Sequence, residues 1–177
     1  MELTLQQFDA IATQCRDVFI KKTHDYGTSW RILRPSSLTD QLYIKAWRIR
    51  SIEEKGVQQV SDSVADEFLG LVNYSIIALI QNDLPENTPL ELSLETVSAL
   101  YDQQFAETRR LLQQKNHDYG EVWRELRVSS MTDLILSKLL RIRQIEDNRG
   151  QTIASEGVDA NYRDIINYAI FALIKLS

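Results

Sequence analysis

Cysteine is nearly absent from this chain of 177 residues: Cys15 stands alone. No intrachain disulfide is possible, which fits a reducing compartment. Proline (3) and glycine (6) are scarce, so collagen-like or low-complexity structure is excluded and the few that occur act as punctuation. Only two histidines are present, His24 and His117, and no zinc-type Cys/His spacing, P-loop or glycine-rich dinucleotide loop occurs. Basic charge is also short. Twenty Lys and Arg against 25 Asp and Glu give a net charge of -5, which argues against general nucleic-acid binding, since that needs a basic face. The apolar run 76–80 is too short to span a bilayer. The opening Met1-Glu-Leu-Thr-Leu lacks the basic start and apolar core of a signal peptide. The expectation is a cytoplasmic chain with no membrane partner. Hydrophobic residues make up 44%, enough for a real core.

What is present is a repeat. Lys22-Thr-His-Asp-Tyr-Gly-Thr-Ser-Trp-Arg31 returns as Lys115-Asn-His-Asp-Tyr-Gly-Glu-Val-Trp-Arg124. From Lys22 to Glu53, roughly 19 of about 32 positions recur at an offset of 93, too many for chance within one chain. The stretch 71–80 then returns as 165–174, where the offset has grown by one, so a residue was inserted in the loop after Glu146. The domain reading is residues 1–81 as a first three-helix repeat, 82–92 as a Pro-containing linker and 93–177 as a second repeat sharing one core.

Apolar spacing predicts three helices per repeat and no strands. The first spans about residues 4–23 and 93–116, with Thr4 and Ser93 as N-caps and Gly27 and Gly120 in a left-handed C-terminal turn. The second spans about 37–55 and 130–148, with Ser37–Asp40 and Ser130–Asp133 as capping boxes. The third spans about 61–81 and 155–176 and is apolar on nearly every face in its second half, which marks it as the buried helix. The fold class is therefore all-α, a tandem three-helix unit packed as an intramolecular pseudo-dimer bundle; a homodimer is a further expectation.

Three features carry chemistry. Lys45 interrupts the apolar stripe Leu38, Leu42, Ile49, Ile52, and Lys138 does the same in the second repeat. A lysine there needs a counter-charge: an internal carboxylate or a bound phosphate. The third helix places Asp62, Asp66, Gly70 and Asn73 on one face, and Glu156, Ala160, Asp164 and Asn167 on the equivalent face. Carboxylates at i and i+4 suit a hard cation such as magnesium, or form a solvated face. In the shared motif, Tyr26, Trp30, Tyr119 and Trp123 either stack a base or fill a helix junction. No serine or cysteine nucleophile repeats; Cys15 has Thr108 as its counterpart, so covalent catalysis is not expected.

At these residues the chain resembles the first nucleotide-modification-associated domain family, through Lys-x-x-Asp-Tyr-Gly-x-x-Trp, the Lys-x-x-Arg-Ile-Arg helix and the acidic helix running into Asn-Tyr. That family is similar in layout to the all-α nucleoside triphosphate pyrophosphatases, the MazG-like enzymes and dimeric dUTPases among them. The resemblance implies a nucleotide partner, magnesium as cofactor, and pyrophosphate release by water. It implies Asp62, Asp66, Glu156 and Asp164 as metal ligands and Lys45, Arg48, Lys138 and Arg141 as phosphate contacts, with Asp25 and Asp118 joining the site. The motif residues Lys22, His24, Tyr26, Trp30, Arg31, Lys115, His117, Tyr119, Trp123 and Arg124 complete the candidate nucleotide-binding set. The Glu-x-x-Glu pair of the pyrophosphatases is missing. The alternative is a non-catalytic helical binding or scaffold module whose lysines pair internally. An open cavity around Lys45, Asp62 and Asp25 would favour the nucleotide site, and sealed ion pairs the module.

Overall fold

Helix α1 (Glu2–Tyr26) buries Phe8, Ile11, Cys15 and Phe19 at three- and four-residue spacing and turns its charges outward, as an amphipathic helix does. The computed structural model describes residues 1–154 and 156–177. After α1 come a single 3-10 turn (Ser29–Ile32), α2 (Pro35–Lys55) and α3 (Val64–Asp83). The second repeat follows as α4 (Leu94–Tyr119), another 3-10 turn (Val122–Glu125), α5 (Val128–Asp147) and α6 (Val158–Leu176). The described residues are helical throughout their regular structure, with two copies of the same three-helix order.

The two apolar helices take the centre. α3 and α6 pack on each other more extensively than any other pair; α2 lies on α3, α5 on α6, and α2 meets α5. α1 touches α6 more than α3, and α4 touches α3 more than α6, so each first helix leans on the other repeat. One hydrophobic cluster draws on all six helices. Leu38, Leu42 and Ile49 of α2 are fully buried in it, each contributing about 1.5–3 kcal/mol by removal from water. By length and composition α3 could cross a membrane, but 61% of its apolar window is buried inside the fold, as a core helix requires.

Polar contacts between the repeats come as exchanged pairs. Arg16 Nε bonds Asp102 at 2.7 Å and Arg109 Nε bonds Asp9 at 2.7 Å, positions related by the 93-residue offset. Arg50–Asp133 (3.4 Å) and Arg143–Asp40 (3.5 Å) repeat the pattern between α2 and α5.

Several helix ends differ from the sequence expectation. Thr4 is no cap, because α1 already starts at Glu2; its buried hydroxyl donates to Glu121 and accepts from Arg124. α2 and α5 begin two residues before the expected serines, at Pro35 and Val128, without side-chain caps. Pro35 has no N–H to satisfy, and Asp40 and Asp133 reach across to the arginines instead of capping. α3 begins at Val64, with the capping box on Ser63 and Asp66. Ser93 caps α4 as expected, accepting from Thr96 N at 3.1 Å. α1 and α4 run through the motif to Tyr26 and Tyr119. Gly27 (φ 62°, ψ -144°) and Gly120 (φ 65°, ψ -147°) do not take the left-handed helical turn. They sit near an extended positive-φ region that is essentially reserved for glycine. The expected start of α6 at Ser155 falls outside the described residues; the described helix begins at Val158.

Candidate functional site

The first repeat holds an open cavity of about 580 Å³ between the end of α1, the 3-10 turn, α2 and the first half of α3. The helical period decides which motif residues reach it. Val18, Lys22 and Tyr26 lie at i, i+4 and i+8 along α1 and face the cavity together. His24 and Asp25 point the other way. Their side chains are 81% and 66% exposed and touch only each other, at 3.4 Å. His117 and Asp118 repeat this in the second copy, at 3.1 Å and still more exposed. Trp30 is buried and forms a wall of the cavity, whereas Tyr26 stands at its mouth, 71% exposed. Arg31 faces away; it clamps the linker through Gln81 and the carbonyls of Thr88 (2.9 Å) and Pro89 (3.3 Å).

Lys45 crosses from α2 to the floor of the cavity. Its side chain lies against Gly70 so closely that a Cβ on Gly70 would meet the lysine Cδ, Cε and Nζ at 3.1, 3.2 and 3.3 Å. The ammonium sits 5.3 Å from the centre of the Tyr74 ring, within cation–π range. Among the described residues no carboxylate lies within ion-pair distance of it. Arg48, one turn on, is fully engaged: it bonds Glu67 at 3.0 Å and the backbone carbonyls of Asp62 (2.8 Å) and Val60 (3.3 Å). It organises the α2–α3 loop. Asn73 closes the inner end, donating to Cys15 O (3.0 Å) and accepting from the Tyr101 hydroxyl (2.7 Å). Burial of those neighbours pushes the Cys15 thiol up to about 12 and the Tyr101 hydroxyl above its ordinary value.

The second repeat has the same parts in an internally paired arrangement. Asp164 occupies the position of Gly70, and both motif lysines converge on it: Lys115 Nζ at 2.5 Å and Lys138 Nζ at 2.9 Å. The Lys138 and Asp164 side chains are only 17% and 18% exposed. Phe171 replaces the cavity-lining Ile77 and stacks on Trp123 at 4.2 Å, nearly parallel. Arg124 covers the other side of that indole at 4.4 Å while bonding Glu121, Thr4 and Gln7. What is left is a hollow of about 320 Å³ by Lys138, Arg141, Glu156 and Asp164, with no motif aromatic in it. Arg141 and Glu156 are exposed there. Tyr119 is exposed and away from it.

The metal-ligand candidates do not gather. Asp62 and Asp66 both line the first cavity, but the Asp66 carboxylate accepts from Ser63 N at 3.1 Å in the capping box. Glu156 and Asp164 lie in the other repeat, and Asp164 is neutralised by its two lysines. Among the described residues no group of three or more His, Cys, Asp or Glu side chains is placed to hold a metal ion. Asp62 and Asp66 are the candidate pair that shares a cavity, and a magnesium ion there would need the ligand's own phosphates to complete its shell.

Sequence reasoning missed Glu67, Tyr74 and Glu91. Tyr74 was visible in the repeated Asn-Tyr pair. Glu67 had no such signal, because its counterpart is Asn161. Glu91 belongs to the linker; its carboxylate oxygen lies 2.5 Å from where a Cβ of Gly27 would be, and only the fold brings it there.

The chain matches the family described as nucleotide modification associated domain 1 in two segments, residues 22–82 and 115–176. No curated protein and no solved structure matches it.

Proposed function

This chain belongs to the nucleotide modification associated domain 1 family, and on that premise we propose that its first repeat binds a nucleoside phosphate in the cavity above Gly70. The observation that carries the reading is the unpaired ammonium of Lys45, half-buried beside Lys22 in an open cavity walled by Trp30 and Tyr74. A half-buried cation without an internal partner gains most from a ligand that brings negative charge. The aromatic walls suit a flat base, which stacks on an indole or phenol ring. The second repeat lends support to the other reading, since its two lysines pair internally with Asp164, although Lys115 stays half exposed. One chain thus combines a binding repeat with a structural one.

A finer reading is pyrophosphohydrolysis of a (deoxy)nucleoside triphosphate. Asp62 and Asp66 favour it, since they line the same cavity as the lysines. The missing acid cluster weighs against it, and binding without cleavage is the reading the arrangement supports better. The test is a thermal-shift panel of nucleoside mono-, di- and triphosphates, with and without magnesium, on wild type, Lys45→Ala and Lys138→Ala. A ligand that binds only the folded state raises the melting temperature by mass action. The expected outcome is a shift for at least one nucleotide that Lys45→Ala removes and Lys138→Ala keeps. No shift with any nucleotide sinks the proposal. Pyrophosphate release measured on the same panel decides the finer reading.

A further inference from the structure

The two repeats differ at one position in a way that identifies where the ligand's charge sits. In the second repeat Lys115 and Lys138 close on a single carboxylate, Asp164, at 2.5 and 2.9 Å. In the first repeat the equivalent lysines, Lys22 and Lys45, line the cavity, and the residue at that helical position is Gly70. Gly70 has no conformational need to be glycine: it lies inside α3, where glycine is a poorer helix former than alanine. Its missing side chain instead leaves the lysine stem lying directly on the helix backbone and the ammonium open to the cavity.

We infer that Asp164 is a built-in anion filling, in the second repeat, the place that a ligand oxyanion takes between Lys22 and Lys45 in the first, so that the residue at the Gly70 position decides which repeat binds. The inference rests on the nucleotide-site reading for the identity of the ligand, but the two-lysine anion seat stands on the geometry of the second repeat. A carboxylate and a phosphate oxygen present the same charge and acceptor chemistry to an ammonium. A carboxylate at position 70 would therefore compete with the ligand rather than assist it. The second difference works the same way: Phe171 fills beside Trp123 the space that Ile77 leaves beside Trp30.

The experiment is isothermal titration with two probes, ATP and inorganic pyrophosphate, on wild type, Gly70→Asp and Gly70→Asn. Asn matches Asp in size and lacks its charge. Both are better helix formers than the glycine they replace, and the nearest atoms a Cβ meets are the end of a flexible lysine side chain. Gly70→Asp should weaken both probes about tenfold or more, since a like charge brought into the site repels the ligand anion, and Gly70→Asn by less than about threefold. Without ligand, Gly70→Asp should melt above Gly70→Asn, and high salt should erase that difference as it screens the new Lys45 pair. Equal loss in both variants would make position 70 a steric gate and overturn the inference, as would wild-type affinity in Gly70→Asp. Pyrophosphate binding without ATP binding would keep the anion seat and exclude ATP as its ligand, leaving the nucleotide reading to the thermal-shift panel. Binding of neither probe by wild type would overturn the anion seat, and with no shift across the panel the nucleotide reading falls too.

Discussion

Lys45 and Lys138 are equivalent residues in opposite electrostatic situations, so the same substitution should have different consequences at the two positions. Lys138→Met removes one of two cations from Asp164, whose side chain is 18% exposed. Removing one partner of a buried pair costs roughly 3–5 kcal/mol, whereas fully exposed pairs are worth about 0–1 kcal/mol. This pair is mostly but not wholly buried, and Lys115 remains at 2.5 Å to hold the carboxylate. The expected loss is therefore about 1–3 kcal/mol, between those two limits. Lys45→Met removes a cation that has no carboxylate partner and places an apolar side chain on the stripe of Leu38, Leu42 and Ile49. It should change stability by less than about 0.5 kcal/mol or raise it slightly. Urea unfolding of the ligand-free proteins measures both. A chain of this length should show about 2–4 °C in melting temperature per kcal/mol, so the two variants should separate by several degrees. Equal destabilisation by the two substitutions would mean that Lys45 has a structural partner and would remove the main support for a vacant cation.

Four further outcomes follow from polar groups, most of them buried. Asn73 satisfies both ends of its amide, whereas the Asn167 Oδ1 is buried with no partner among the described residues, because Phe8 stands where symmetry with Tyr101 would supply a hydroxyl. Asn73→Leu should therefore cost about 1–3 kcal/mol and Asn167→Leu less than about 0.5 kcal/mol, read by urea unfolding; the reverse order would refute the assignment. Glu146 sits at the α2–α5 interface with its carboxyl pushed above the ordinary range, first by burial and partly offset by the Thr39 hydroxyl at 2.6 Å; Glu53 is raised for the same leading reason. A raised carboxyl contributes stability that is full below the ordinary glutamate pKa of 4.5 and lost as pH rises through the folded value. Glu146→Gln should thus raise the melting temperature at pH 7 and leave it little changed near pH 4. Glu121 has the opposite sign: bonds from Thr4, Arg124 and the N-terminus lower it to about 2, so its contribution is full above 4.5 and is lost as pH falls from there to about 2. Finally, Cys15, buried and raised to about 12, should react with a thiol reagent only on unfolding; rapid modification of the native protein would contradict the packing of α1.

The sequence by itself determined the helices, the repeat and the elements that carry each polar residue. Periodicity and local chemistry act over a few residues, and they are written in Leu38, Leu42 and Ile49 or in the Ser93 cap as plainly as in the fold. It also showed Lys45 on an apolar stripe and therefore its need for a counter-charge. It could not show whether that charge was internal. The answer depends on a residue of another helix, Gly70 or Asp164, and on the crossing that brings it against the lysine. Likewise the motif reads as one block, yet helical rotation sends Lys22 and Tyr26 to the cavity and His24 and Asp25 to solvent. Of the carboxylates spaced for a cation in one dimension, Asp66 was claimed in three by a capping box and Asp164 by two lysines. Spacing along a chain fixes which groups share a face, but the partner each group meets is set by packing between faces, and there the two repeats part.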